Sequence, residues 1–257
     1  MVDHHLMIDI ARRIYRQLVP YRIRLAARNA LHRCARGIIK AYHALMRRTG
    51  QIDRIYTARV HTKFLDFQRQ TAPLFVETII KHFQPRSVID VGCGPGEYLA
   101  EFARRGVEIF GVEGARSVYA VLQIPRDKVR IHDLAHPLRL DRRYDLCICT
   151  EVAEHIDARH ALTLVETLCR ASDTIFFSAA TPGQGGDDHV NEQPHEYWID
   201  RFAQRGFSLD RLTTATIREE LAARGMATHW IPNNTLIFRR RRDSGAQARG
   251  LLTFTDC

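Results

Sequence analysis

From residue 87 onward, apolar positions fall in short runs divided by polar or glycine-rich stretches, and the runs alternate between two spacings. Val88, Ile89 and Val91 form a β-branched run suited to a buried strand. Tyr98 to Arg105 reads as a helix with Leu99, Phe102 and Ala103 on one face. Val107 to Val112, Val129 to His132, Tyr144 to Cys149 and Thr174 to Ser178 read as the next four strands. Ser117 to Leu122 and His160 to Arg170 carry helical spacing between them. Pro194 opens a helix that runs to Arg205 and stops at Gly206, since proline suits a first turn and glycine an end. Phe207 to Leu209 then reads as a sixth strand, Thr213 to Arg224 as a helix, and Asn234 to Phe238 as the last strand. Ahead of this region, Gln51 to Gln84 is a mixed helical stretch in which Pro73 is expected to start a helix ending near Phe83. Residues 1 to 50 show helical stripes at Ile10, Ile14 and Leu18, and at Leu31, Ala35, Ile38, Tyr42 and Leu45, with Pro20 between.

The chemistry concentrates between Ser87 and Gly114. A strand is followed by a turn with Gly92, Gly94 and Gly96, then a helix, then a strand ending at Glu113. That is the plan of a nucleotide-binding α/β half, with an acid placed to accept hydrogen bonds from ribose hydroxyls. The turn reads Asp-Val-Gly-Cys-Gly-Pro-Gly rather than Gly-x-Gly-x-x-Gly, so Asp90 precedes the first glycine by two residues. A pyrophosphate is repelled by a carboxylate at that position, whereas a ligand with a cationic amine is attracted. The pattern therefore points away from NAD and towards S-adenosylmethionine.

At these residues the sequence resembles the class I S-adenosylmethionine-dependent methyltransferases. The resemblance runs from Val88 to Gly96 through Glu113, Asp133-Leu134 and Asp145 to Ile156, and covers roughly residues 75 to 240. It implies a three-layer α/β/α sandwich with a seven-stranded, mostly parallel sheet whose last strand is antiparallel, preceded by a helical N-terminal extension. It implies S-adenosylmethionine as cofactor, held by Asp90, Gly92, Cys93, Gly94, Gly96 and Glu113. Carried over residue by residue, Asp133 receives the adenine amino group, the Leu134 amide meets a ring nitrogen, and Glu151 stands near the methionine end of the cofactor. His189 to Trp198 (HVNEQPHEYW) resembles a segment of bacterial small-molecule methyltransferases, which implies a small-molecule or glycan-intermediate acceptor. The expected divisions are an extension over 1–50, a helical cap over 51–84, the methyltransferase domain over 85–242 and a tail over 243–257.

Charge sharpens the reading of the ends. The net charge is +9, and residues 1 to 50 alone hold eleven Lys/Arg against two Asp. This basic, striped extension suits packing against the domain or a second copy of the chain, or attachment to an anionic membrane surface. It lacks the aromatics and modules of a nucleic-acid-binding segment, so nucleic acid ranks last among partners. No run approaches the ~18 apolar residues of a membrane span, and no apolar stretch follows a basic start, so a secretory leader is not expected. The six cysteines show no metal spacing, which fits reduced thiols in the cytoplasm or at the inner membrane face.

Methyl transfer from a sulfonium needs alignment, and an alcohol acceptor also needs its proton removed. His189, which follows the glycine-rich loop Ala179 to Asp188, is the first candidate base and His155 the second. A structural role, holding a loop by hydrogen bonds, competes for both histidines. Asp187, Asp188 and Glu151 carry carboxylates, but adjacent acids on a glycine loop are commonly solvated, and no metal is assigned. The expected reaction is O-methylation. Protein or nucleic-acid methylation and a noncatalytic S-adenosylmethionine-binding subunit are the alternatives, and Thr150-Glu-Val-Ala in place of an Asn/Asp-Pro-Pro-Tyr motif disfavours DNA base methylation.

Overall fold

A computed structural model describes residues 30, 34, 37–39, 41–226 and 230–241. The expectations for the first stripe of the extension, for Leu31 and Ala35 of the second, and for the tail over 243–257 lie outside the described residues. The chain divides into two compact units, Met1–Gln51 and Ile52–Cys257. In the first, residues 41–48 are helical. Ile38, Tyr42 and Leu45 are exposed there, while Met46 is buried. Among the described residues no helix is long and apolar enough to cross a membrane.

The second unit contains strands β1 (Ser87–Val91), β2 (Glu108–Glu113), β3 (Val129–Ile131), β4 (Leu146–Thr150), β5 (Thr174–Ser178), β6 (Phe207–Leu209) and β7 (Leu236–Arg240). Its α-helices are α1 (Ala58–Phe83), α2 (Glu97–Arg104), α3 (Ala161–Ala171), α4 (His195–Ala203), α5 (Arg211–Leu221) and α6 (Trp230–Asn234). The strands form one seven-stranded sheet in the order β3-β2-β1-β4-β5-β7-β6. β3 to β5 run parallel, and β7 enters between β5 and β6 antiparallel to both. The fold is thus the three-layer sandwich implied by the resemblance.

Alternation along each strand divides the core between the two faces. Val88, Ile148, Phe176 and Ile237 join Phe75, Ile79, Leu99, Phe102 and Leu221 on one side. Ile89, Cys147, Ile175, Phe177 and Phe238 join Leu164, Leu168, Trp198 and Phe202 on the other. A sheet covered on both faces needs apolar residues at every strand position, which is why these strands read as runs rather than alternations.

Three elements differ from expectation. α1 continues through Pro73 for 26 residues instead of starting there. Its buried side, including Leu65, Ala72, Phe75, Val76 and Ile79, supplies the packing that offsets the lost backbone hydrogen bond. Phe75 stacks on Tyr98 with ring centroids 4.6 Å apart and meets Phe176 edge-on at 5.1 Å. The expected second helix is a short 3-10 turn, Arg116–Ala120. Asn234 closes α6 rather than opening β7.

Candidate active site

The carboxyl ends of the parallel strands carry the site. Asp90 sits on β1, paired in register with Gly111 of β2 and Ile148 of β4. It is buried, and its Oδ1 has no hydrogen-bond partner. Burial, reinforced by the nearby Glu113 charge, pushes its carboxyl up to about 8. The chain then turns through Gly92, whose φ of +86° lies in the left-handed region. A Cβ on Gly92 would sit 2.4 Å from Cγ2 of Val152, so the glycine turn and the turn after β4 touch. The Gly92 and Cys93 amides both donate to Val112 O, at 2.8 and 3.0 Å. Gly96 forms the N-cap of α2, with its amide donating to Cys93 O at 3.0 Å. Burial raises the Cys93 thiol, so it packs rather than reacts.

Glu113, at the end of β2, closes the opposite side of this turn. Its Oε2 accepts from the Gly94 amide at 2.9 Å and its Oε1 from the Ala115 amide at 3.0 Å. α1 reaches over the same turn through Gln68, whose Oε1 accepts from the Glu97 amide at 3.2 Å. Asp133 spends its carboxylate on its own turn: Oδ1 accepts from the Ala135 amide at 2.9 Å and Oδ2 lies 3.2 Å from His136 Nδ1. Leu134 is buried beneath the sheet with Val91 and Val112.

The turn after β4 and the loop after β5 form the second half of the site. Glu151 has φ +53°, and its amide donates to Ser178 O at 3.0 Å. Its carboxylate accepts from Asn234 Nδ2, at 3.1 and 3.2 Å, and from Gln184 Nε2 at 3.1 Å. The rings of His155 and His189 meet edge to face with centroids 4.9 Å apart. His189 Nδ1 lies 2.9 Å from Glu192 Oε1. That hydrogen bond is the leading reason the Glu192 carboxyl is held below its ordinary range. Tyr56 packs edge-on against His155 at 5.8 Å, and its hydroxyl donates to Asp188 Oδ2 at 3.2 Å. Glu154, between the two halves, is fully buried, and burial followed by the Glu151 charge raises its carboxyl well above the usual range.

The structure therefore brings Asp90 and Glu113 to the glycine turn of Gly92, Cys93, Gly94 and Gly96, and Glu151, His155 and His189 into an adjoining cluster. Glu154, Gln184, Glu192 and Asn234 were missed from the sequence. Only the spacing Glu151-x-x-Glu154-His155 offered a signal, and it did not reveal which acid is buried.

Residues 61–228 match the family described as a methyltransferase domain. The chain belongs to that family. It shares 24% identity over 149 residues with a ubiquinone biosynthesis O-methyltransferase of Acinetobacter baylyi, covering 53% of this chain and 58% of that one. It shares 42% over 74 residues with an uncharacterized methyltransferase of Mycobacterium sp. (strain JLS), covering 28% and 29%. The chain thus spans about half the length, or less, of these curated relatives. The sugar N-methyltransferase KedS8 of Streptoalloteichus sp. is similar in fold, with a TM-score of 0.53 at 15% identity over 70% of this chain and 93% of that one.

S-adenosylmethionine is the cofactor of this methyltransferase domain, and the residues present fit it. Asp90 offers a buried acceptor without a donor, which a cationic amine would satisfy. Each Glu113 oxygen accepts one amide and, having two lone pairs, can accept a ribose hydroxyl as well. A Cβ on Gly94 would meet nothing nearer than Gln68 Nε2 at 3.9 Å, so the turn is open to a ligand there.

Proposed function

We propose that this methyltransferase domain moves the methyl group of S-adenosylmethionine to an oxygen of a small molecule or glycan intermediate. Bound there, the cofactor supplies a methyl carbon activated by a sulfonium. Asp90 and Glu113 hold its amine and ribose, and Asp133 and Leu134 are assigned to the adenine. Glu151, fixed by Asn234 and Gln184, orients the mouth between donor and acceptor. Removal of the acceptor proton falls to His155 and His189.

The observation that carries this reading is the histidine pair, packed edge to face next to the turn that touches Gly92. Glu192 anchors Nδ1 of His189, which leaves the Nε2 lone pair to face an acidic proton. The O-methyltransferase name of the Acinetobacter relative agrees with an oxygen acceptor, while the N-methyltransferase name of KedS8 keeps nitrogen as the second reading. Incubation with methyl-labelled S-adenosylmethionine and a panel of phenols, catechols and amino and neutral sugars tests it, with the product located by mass spectrometry. An O-methyl product, lost by about 10²- to 10⁴-fold in His189→Ala, supports the reading. Labelling of amines alone refutes it. The exposed Ile38, Tyr42 and Leu45, in a segment whose sequence is strongly basic, support a contact with an anionic membrane surface from the cytoplasmic side.

A further inference from the structure

Three ligating side chains converge where the turn after β4 meets the loop after β5. One carboxylate oxygen of Glu154 and one ring nitrogen each of His155 and His189 all lie within 4.8 Å of one another. Glu154 is 0% exposed, and neither of its carboxylate oxygens has a hydrogen-bond partner. A buried carboxylate without donors is unfavourable unless something positive meets it. Among the described residues, no Lys or Arg side chain hydrogen-bonds to it.

The surroundings orient all three groups. Glu154 O accepts from both the Val190 amide at 2.9 Å and the Asn191 amide at 3.0 Å, which ties the exit of the loop to the turn that carries Glu154 and His155. His189 Nδ1 faces Glu192 Oε1 at 2.9 Å, and His155 Nδ1 faces Asp188 O at 3.3 Å. With each Nδ1–H directed at an oxygen, the tautomer puts the lone pair on Nε2. An outer carboxylate or carbonyl on the far nitrogen is how metal-binding histidines are usually held. Gly186 is part of the fit, since a Cβ there would lie 2.2 Å from His189 Nε2.

We propose that Glu154, His155 and His189 bind a divalent transition-metal cation. Two imidazoles and one carboxylate suit Mn²⁺, Fe²⁺, Co²⁺ or Zn²⁺ better than the all-oxygen ions Ca²⁺ and Mg²⁺. Ligands at ~2.1 Å around a tetrahedral ion stand roughly 3.4 Å apart, within the 4.8 Å that bounds the present separations. Three protein ligands leave positions open. Resting on the reading above, an open position takes the acceptor hydroxyl, whose proton passes to solvent as its pKa falls. The resulting oxyanion bonds to the methyl carbon as the carbon–sulfur bond breaks. The electron pair stays on sulfur, giving S-adenosylhomocysteine. The histidines then act as ligands that hold the ion, and not as free bases.

Tag-free, EDTA-stripped full-length protein titrated with Co²⁺ tests the site by visible d–d absorption. Saturation at one Co²⁺ per chain is expected, with affinity reduced at least tenfold in Glu154→Gln and in His189→Ala. Glu192→Gln, which removes the charge behind His189, should weaken binding by about 10- to 100-fold. Calorimetric titration with S-adenosylmethionine on the same samples reports folding and the cofactor reading separately. Protein that binds S-adenosylmethionine but no Co²⁺, or that binds Co²⁺ equally well in all three variants, overturns the metal site. Co²⁺ binding that the variants abolish, without S-adenosylmethionine binding in the parent protein, upholds the metal site and overturns the cofactor reading.

Discussion

Gly92→Ala meets two obstacles that can be separated by mutation. The residue has φ +86°, and a Cβ there would lie 2.4 Å from Cγ2 and 2.9 Å from Cγ1 of Val152. The left-handed conformation costs a non-glycine residue roughly 1–2 kcal/mol. Overpacking against a close side chain adds about 1–3 kcal/mol, and the valine, stiff at χ1, cannot turn both methyl groups aside. The sum is a loss of about 2–5 kcal/mol. Val152→Ala removes both Cγ atoms and leaves only its Cβ at 3.2 Å, so the double variant should recover most of the overpacking share and keep the backbone share, a coupling of about 1–3 kcal/mol. Gly94→Ala is the control: its φ is +51° and a Cβ would meet only Gln68 Nε2 at 3.9 Å. It should show the backbone loss alone. Urea unfolding followed by circular dichroism gives all four differences, and calorimetry with S-adenosylmethionine shows whether the turn still binds. A Gly92→Ala protein no less stable than Gly94→Ala, or one that Val152→Ala does not rescue, refutes the reasoning.

Asp90 predicts a pH dependence. Its folded pKa of about 8 lies above the ordinary 3.8, so between these values the folded state binds more protons and stability falls as pH rises. Asp90→Asn should flatten that fall in urea titrations of ligand-free protein at pH 5 and 9 while weakening S-adenosylmethionine binding; an unchanged slope would refute the assignment. Glu113→Ala, which removes the acceptor of the Gly94 and Ala115 amides, should weaken S-adenosylmethionine by about 1–3 kcal/mol in calorimetry, and unaltered affinity would exclude a ribose contact. Full-length protein should sediment with anionic vesicles at low salt, and Ile38→Asp with Leu45→Asp should prevent it. Sedimentation that survives the pair would remove the membrane role of this stripe.

The glycine turn and the acid at the end of β2 were legible because both are local. Backbone at positive φ calls for glycine, and the second strand follows its turn at a fixed distance. The buried strands announced themselves by composition, since a sheet covered on both faces admits few polar residues. Pro73 misled because a proline reads locally as a helix start, whereas tertiary packing of Phe75, Val76 and Ile79 carries α1 across it. The hold on Glu151 was invisible for a different reason. Gln184 and Asn234 lie 33 and 83 residues further along the chain, and neither belongs to a periodic pattern. Glu154 stood in plain view beside Glu151, but a sequence does not say which of two acids faces inward.

The paired amides on Glu154 O have an evolutionary consequence. They staple the loop where it leaves the site, and β5 fixes it where it enters. An insertion at Pro182 would therefore cost the turn hydrogen bond from the Gln184 amide to Thr181 O and little closure entropy, since closure grows only slowly with loop length. His189 keeps its place while the rim changes. Under the proposed function, length changes at that rim would exchange one acceptor for another without rebuilding the chemistry beneath.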